Sequence, residues 1–128
     1  MKMDHVGLGS NSEQDADKFF IELLGLEKTR SFSISAHLNE KFFNIKQEQQ
    51  IIRYGKGDLN FEVFITENSE KAKDVFTHPC LVIDQRDGFL NKAQTLGFPI
   101  IKVPRKESDS YYLFIKDLFG NLYEIKEN

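Results

Sequence analysis

The sequence predicts an α+β domain built from two copies of one β-α-β-β-β module. Three recurring features carry that expectation. An apolar run with a histidine opens each half, as Met3-Asp4-His5-Val6-Gly7-Leu8 and as His78-Pro79-Cys80-Leu81-Val82-Ile83. An amphipathic stretch follows and ends in Leu-Gly plus an apolar residue, at Leu24-Gly25-Leu26 and Leu96-Gly97-Phe98. A strand-like run holding one glutamate closes each half, at Phe61-Glu62-Val63-Phe64-Ile65 and Leu122-Tyr123-Glu124-Ile125. The offset is 73 residues between the histidines (78 − 5) and 72 between the glycines (97 − 25). It falls to 62 between the glutamates (124 − 62), so the first copy holds 11 more residues (73 − 62) before its last strand. Two copies are too few for a solenoid. The expectation is one duplicated domain over residues 1–128, with module 1 at 1–67 and module 2 at 76–128.

The first amphipathic stretch is specified as a helix from end to end. Ser10-Asn11-Ser12-Glu13 offers a capping box, in which a Ser and a Glu three positions on satisfy each other's amides. Ala16, Phe19, Phe20, Leu23 and Leu24 then recur at helical spacing on one face. Gly25 supplies the left-handed stop. The second helix is less marked, with Asp87 near its start, then Phe89, Leu90, Ala93 and Leu96, and Gly97 as its stop. Candidate strands in the first half are Lys28 to Ile34, a region around Phe42 to Ile45, Gln50 to Tyr54 and Leu59 to Ile65. The last two are separated by the turn Gly55-Lys56-Gly57-Asp58. In the second half they are Ile100 to Val103, Tyr111 to Ile115 and Leu122 to Lys126. Charged residues 67–74 read as the connector, with room for a helical turn, and His37 reads as exposed loop.

Composition excludes several classes of function. Seventeen Lys+Arg against 20 Asp+Glu give a net charge of −3, without the clustered basic surplus a nucleic-acid footprint needs. One cysteine forms no disulfide framework and fits a reducing cytoplasm. No window approaches the ~18 apolar residues of a membrane span, and Met1-Lys2-Met3-Asp4-His5 opens no apolar leader. Twelve Phe supply ample core. The partner expected is therefore a small molecule, with neither nucleic acid nor membrane.

Strand side chains alternate between faces. Phe61, Val63 and Ile65 share one face, set against the helix, while Asn60, Glu62 and Phe64 share the other. With helices on one side, His5, Glu62, His78 and Glu124 project from the opposite side. Taken singly, each glutamate is consistent with a solvated sheet face, where exposed Glu is the rule. Two His and two Glu at matched places in both copies also make a plausible N₂O₂ set for a borderline divalent ion.

The arrangement resembles the vicinal oxygen chelate superfamily, which includes glyoxalase I, methylmalonyl-CoA epimerase, fosfomycin-resistance proteins, extradiol dioxygenases and bleomycin-binding proteins. The resemblance covers nearly the whole chain and rests on Met3-Asp4-His5-Val6-Gly7-Leu8, on Leu24-Gly25-Leu26 and on the closing Asp117-Leu118-Phe119-Gly120-Asn121-Leu122-Tyr123-Glu124. The last looks like the family's Asp-x-x-Gly-Asn-x-x-Glu signature. The resemblance implies two βαβββ modules forming a curved eight-stranded sheet around a metal-binding cleft. It implies His5, Glu62, His78 and Glu124 as metal ligands, the set seen in glyoxalase I, for Ni, Co, Mn or Zn. It also implies a lyase or isomerase that removes a proton next to a carbonyl and stabilises a metal-bound enediolate, with Glu62 or Glu124 as base. The alternatives are a methylmalonyl-CoA epimerase-like enzyme and a noncatalytic small-molecule binding or resistance protein. A plain interaction domain is disfavoured by the ligands.

One departure matters. The Arg that glyoxalase I proteins carry shortly after the first His, to contact glutathione, is replaced here by Val6-Gly7-Leu8-Gly9-Ser10. Phe64, Phe32, Phe43, Tyr54, Tyr111 and Tyr112 are candidate wall residues, and Arg53 is a candidate anion anchor. Cys80 reads as a buried, inert thiol. Exposed strand edges point to a homodimer.

Overall fold

In the computed structural model, which describes residues 1–128, eight strands form two four-stranded sheets, one in each of two units, Met1–Glu70 and Lys71–Asn128. The first unit holds β1 (Val6–Ser10), β2 (Glu27–Ile34), β3 (Gln49–Lys56) and β4 (Leu59–Ile65), ordered β1-β4-β3-β2. The second holds β5 (Cys80–Ile83), β6 (Ile100–Pro104), β7 (Tyr111–Lys116) and β8 (Leu122–Glu127), ordered β5-β8-β7-β6. In each unit the opening strand pairs parallel with the closing strand, and the other pairs are antiparallel. The duplication extends to register: Gly7 sits opposite Glu62, and Cys80 sits opposite Glu124. Each histidine lies two residues before the partner of its module's glutamate.

The first helix begins as α1 (Glu13–Ala16) and continues as a π-helix over Asp17–Leu23. Its N-cap is Ser12, whose hydroxyl accepts from the Asp15 amide at 3.1 Å, not the Ser10 of the expected box. Ser10 is already committed to β1, and its hydroxyl donates to the Ser12 carbonyl at 3.2 Å. The wider π turn allows the adjacent Phe19 and Phe20 both to be buried. Gly25 follows at φ +72°, the left-handed conformation expected of the stop. Phe20 stacks on Tyr54 at 5.1 Å, meets Phe19 edge-on at 5.1 Å and packs on Phe61 at 5.2 Å. Truncating this centre, Phe20→Ala, is expected to cost about 3–5 kcal/mol by chemical denaturation, because the surrounding rings cannot close the cavity.

The residues around Phe42 to Ile45 are not a strand. Helix α2 (Ala36–Phe43) takes in Phe42 and Phe43, capped by the Ser35 hydroxyl on the Leu38 amide and closed by Asn44 at φ 60°, with Ile45 beyond its end. Leu38 and Phe42 stand at i and i+4, a helical spacing that a four-residue apolar window conceals. His37 lies in this helix rather than in a loop, and it is exposed. Residues 67–74 contain no helical turn. Helix α3 (Arg86–Thr95) completes the second module and ends at Gly97, φ +84°. No helix is long and apolar enough to cross a membrane.

Candidate functional site

In the first unit, β3 and β4 place Arg53 directly across from Glu62 on the face opposite the helix. Phe61, Val63 and Ile65 point the other way and are buried. His5 precedes β1, and its Nε2 lies 3.6 Å from Glu62 Oε1. Its other nitrogen, Nδ1, lies 2.9 Å from Asp4 Oδ2. A carboxylate only accepts, so Nδ1 carries a proton and donates it to Asp4, and Nε2 faces Glu62. Arg53 Nη1 bridges the two acids, at 3.1 Å from Asp4 Oδ2 and 3.6 Å from Glu62 Oε2. These bonds hold the Asp4 carboxyl below the usual carboxylate range, with His5 the larger cause and Arg53 next.

The second unit repeats the arrangement with different supports. His78 Nε2 lies 3.5 Å from Glu124 Oε2, and His78 Nδ1 lies 2.7 Å from the Phe76 carbonyl oxygen. The carbonyl accepts from Nδ1–H, and Nε2 faces Glu124. Phe114 occupies the position that Arg53 has in the first unit and packs edge-on against His78 at 5.5 Å. The loop before His78 is shaped by Asp74, which accepts from the amides of Phe76 and Thr77, each at 2.9 Å. The turn before Glu124 is closed by Gly120 at φ +93° and by the buried Asp117. Asp117 accepts from the Phe119 and Asn121 amides, the Asn121 side chain and the Tyr123 hydroxyl. Burial pushes the Asp117 carboxyl up, and these four bonds oppose that shift.

Both pairs therefore set an imidazole Nε2 and a carboxylate oxygen 3.6 and 3.5 Å apart, a contact that a shared proton or a shared cation makes favourable. The outer nitrogen of each ring is tied to a carboxylate or a carbonyl, the support that metal-ligating histidines usually have. Residue chemistry and spacing fit a divalent ion. Each pair supplies two donors, and neither unit gathers three or more His, Cys, Asp or Glu side chains into a cradle.

The surroundings correct three expectations. Tyr54 is fully buried on the helix side and donates to Asp17 Oδ1 at 2.6 Å, so it forms no wall around Glu62. Tyr111 is likewise on the helix side, under Arg86 and hydrogen-bonded to Asp87. Cys80 is exposed, not buried, because β5 is an edge strand; partial desolvation and then Glu124 push its thiol up. Phe64 and Phe32 do share the face of Glu62, and Phe43 of α2 meets Phe64 edge-on at 5.1 Å. Tyr112 is exposed on β7. A cavity of about 380 Å³ lined by Ser31, Ser33, Gln50 and Ile65 opens at the far end of the first sheet, on the face away from Glu62.

Two residues escaped the sequence reading. Asp4 was legible only as a neighbour of His5. Arg30 stands opposite Arg53 because the register shifts between Lys28 and Arg30, leaving Thr29 unpaired. Strict alternation from the start of the strand does not reveal that bulge.

Comparison with known structures matches the whole chain to one architecture. A glyoxalase family protein from Bacillus cereus aligns with TM-score 0.74 at 16% identity, over 99% of this chain and 93% of that one. The fosfomycin resistance protein FosX from Listeria monocytogenes aligns with TM-score 0.73 at 13% identity, over 100% and 93%. The chain has the vicinal oxygen chelate fold. The trypanothione-dependent glyoxalase I of Leishmania major has the same fold, with TM-score 0.72 at 15% identity over 99% and 86%. No protein-family model matches the sequence, and no curated protein matches it. At these identities the shared property is the fold.

Proposed function

We propose that this protein is a divalent-metal-dependent lyase or isomerase that removes a proton next to a carbonyl. His5, Glu62, His78 and Glu124 are its ligand set. The observation that carries the reading is the matched pair of imidazole–carboxylate contacts, each with its outer imidazole nitrogen already committed. Each pair supplies two of the four donors that this reading requires. FosX has been crystallised with Mn(II) and a dihydroxypropylphosphonic acid, which supports a first-row ion for a site of this kind. Ni²⁺, Co²⁺, Mn²⁺ and Zn²⁺ all suit imidazole and carboxylate donors.

When bound, the ion supplies Lewis-acid stabilisation of the negative charge that develops as the C–H bond breaks. The protein's own groups do the rest. Asp4 and the Phe76 carbonyl hold the two imidazoles in one tautomer and orientation. Glu62 or Glu124 takes the proton onto a carboxylate oxygen and returns it to the adjacent carbon or to a leaving group. Phe64 and Phe43 exclude water from one side of Glu62.

The test is metal analysis of protein purified without chelator and dialysed against each ion, followed by solvent-deuterium exchange into α-hydroxy and α-oxo compounds. One ion per His-Glu-His-Glu set and exchange at the α-carbon are expected. Protein that takes up no stoichiometric divalent ion at neutral pH sinks the proposal. Tight ligand binding without exchange would convert it to the binding-protein reading. Softening the outer support alone, by Asp4→Asn, should weaken metal binding about tenfold in a competitive chelator titration.

A further inference from the structure

On the face of the first sheet that carries Glu62, three charged side chains stand in one cross-strand row. Glu62 of β4 is paired with Arg53 of β3, and Arg53 with Arg30 of β2. Like charges directly opposite one another in a sheet are destabilising. The chain tolerates this, and the fold does not require it. The equivalent row in the second sheet is Glu124, Phe114 and Ile101, the same positions built from apolar side chains. Arg53 meets Asp4 and Glu62 through one nitrogen, Nη1, and both acids also face His5. Arg30 has no carboxylate partner; its guanidinium lies over the Phe32 ring, 4.2 Å from the centroid. A cation–π contact of this kind uses the face of the guanidinium rather than its N–H groups.

We propose that Arg30 and Arg53 together bind an oxyanion on the substrate, of the carboxylate or phosphate class, beside the reacting carbonyl. A guanidinium pair presents parallel N–H donors matched to such a group. Arg53 is one strand from Glu62 and Arg30 two, so the oxyanion is held about 5–10 Å from the Glu62 strand. The substrate class is then a small hydroxy- or oxo-compound whose anionic group is joined to the reacting oxygens by a short linker. Phe64 and Phe32 flank the row and suit the apolar part of that linker. The placement of the reacting oxygens rests on the metal reading; the anion pair itself does not.

Three hydroxamates with the same chelating head separate the two. Acetohydroxamate has no anionic tail, malonomonohydroxamate has a carboxylate and phosphonoacetohydroxamate has a phosphonate. Calorimetric titration of the Mn²⁺-loaded protein should show at least one tailed compound binding about tenfold or more tighter than acetohydroxamate. Arg30→Gln should erase that preference and leave acetohydroxamate binding unchanged, while Arg30→Lys, which keeps charge but loses the fork, should restore part of it. Whichever tail wins identifies the oxyanion. The proposal is overturned if Arg30→Gln and wild type show the same preference, or if no tailed compound is preferred. Should the protein take up no Mn²⁺, the metal reading fails by itself. The arginine pair is then read from metal-free protein, where phosphonoacetohydroxamate binding lost in Arg30→Gln supports it and equal binding overturns it.

Discussion

Replacing Glu62 or Glu124 with glutamine is expected to lower divalent-metal affinity by about 100-fold or more, and replacing both to abolish it. Glutamine keeps the length of the side chain, so packing is preserved and only the charge and one donor oxygen are lost. Changes to outer-sphere partners of metal ligands already cost about 10–100-fold, and loss of a directly coordinating carboxylate should exceed that. The glutamine amide can also stand beside the neighbouring imidazole Nε2 over the 3.6 or 3.5 Å gap, with either its oxygen or its NH₂ turned to the ring. The variants should therefore stay folded with stability close to that of metal-free wild type while failing to bind metal. Competitive chelator titration and thermal denaturation, measured side by side, check both halves. If Glu62→Gln and Glu124→Gln retain wild-type affinity, these carboxylates are not ligands.

Asp117→Ala is expected to destabilise the protein by about 3–5 kcal/mol. This buried carboxylate accepts four hydrogen bonds, at 3.0 Å from each of the Phe119 and Asn121 amides and 2.8 Å from each of the Asn121 side chain and the Tyr123 hydroxyl. Removing it strands the half-buried donors of Phe119 and Asn121 and the hydroxyl of the fully buried Tyr123, which is the worst placed. Tyr123→Phe removes one donor along with its need for a partner and should cost only about 1 kcal/mol, which makes the two variants a check on the argument. Asp117 also closes the turn that leads into β8. Its loss should weaken metal binding through Glu124, seven residues on, at temperatures where the variant is still folded. A loss of stability below ~1 kcal/mol would mean that the turn holds its shape without this carboxylate.

The two modules, the order of elements along each and the face on which Glu62 stands were legible in the sequence because they rest on local signals. Alternation marks Glu62 as facing away from the helix, and left-handed glycines mark the ends at Gly25 and Gly97. What was misread depends on choices local pattern leaves open. Phe42 to Ile45 is too short an apolar run to tell a strand from the end of a helix, and the caps at Ser35 and Asn44 decide it. Tyr54 and Arg53 are neighbours in one strand, yet Tyr54 is fully buried against Phe20 while Arg53 faces Glu62.

The sequence alone carried a duplicated α+β architecture with one histidine and one glutamate at matched places in each copy. Those are properties of periodicity and of side-chain chemistry, which belong to the chain wherever it folds. Only the tertiary structure decided that each imidazole is turned by an outer hydrogen bond so that Nε2 meets a carboxylate. It also decided that a bulge at Thr29 brings Arg30 opposite Arg53. The histidine–glutamate contacts and the strand register arise between segments distant in sequence, and no local pattern encodes them.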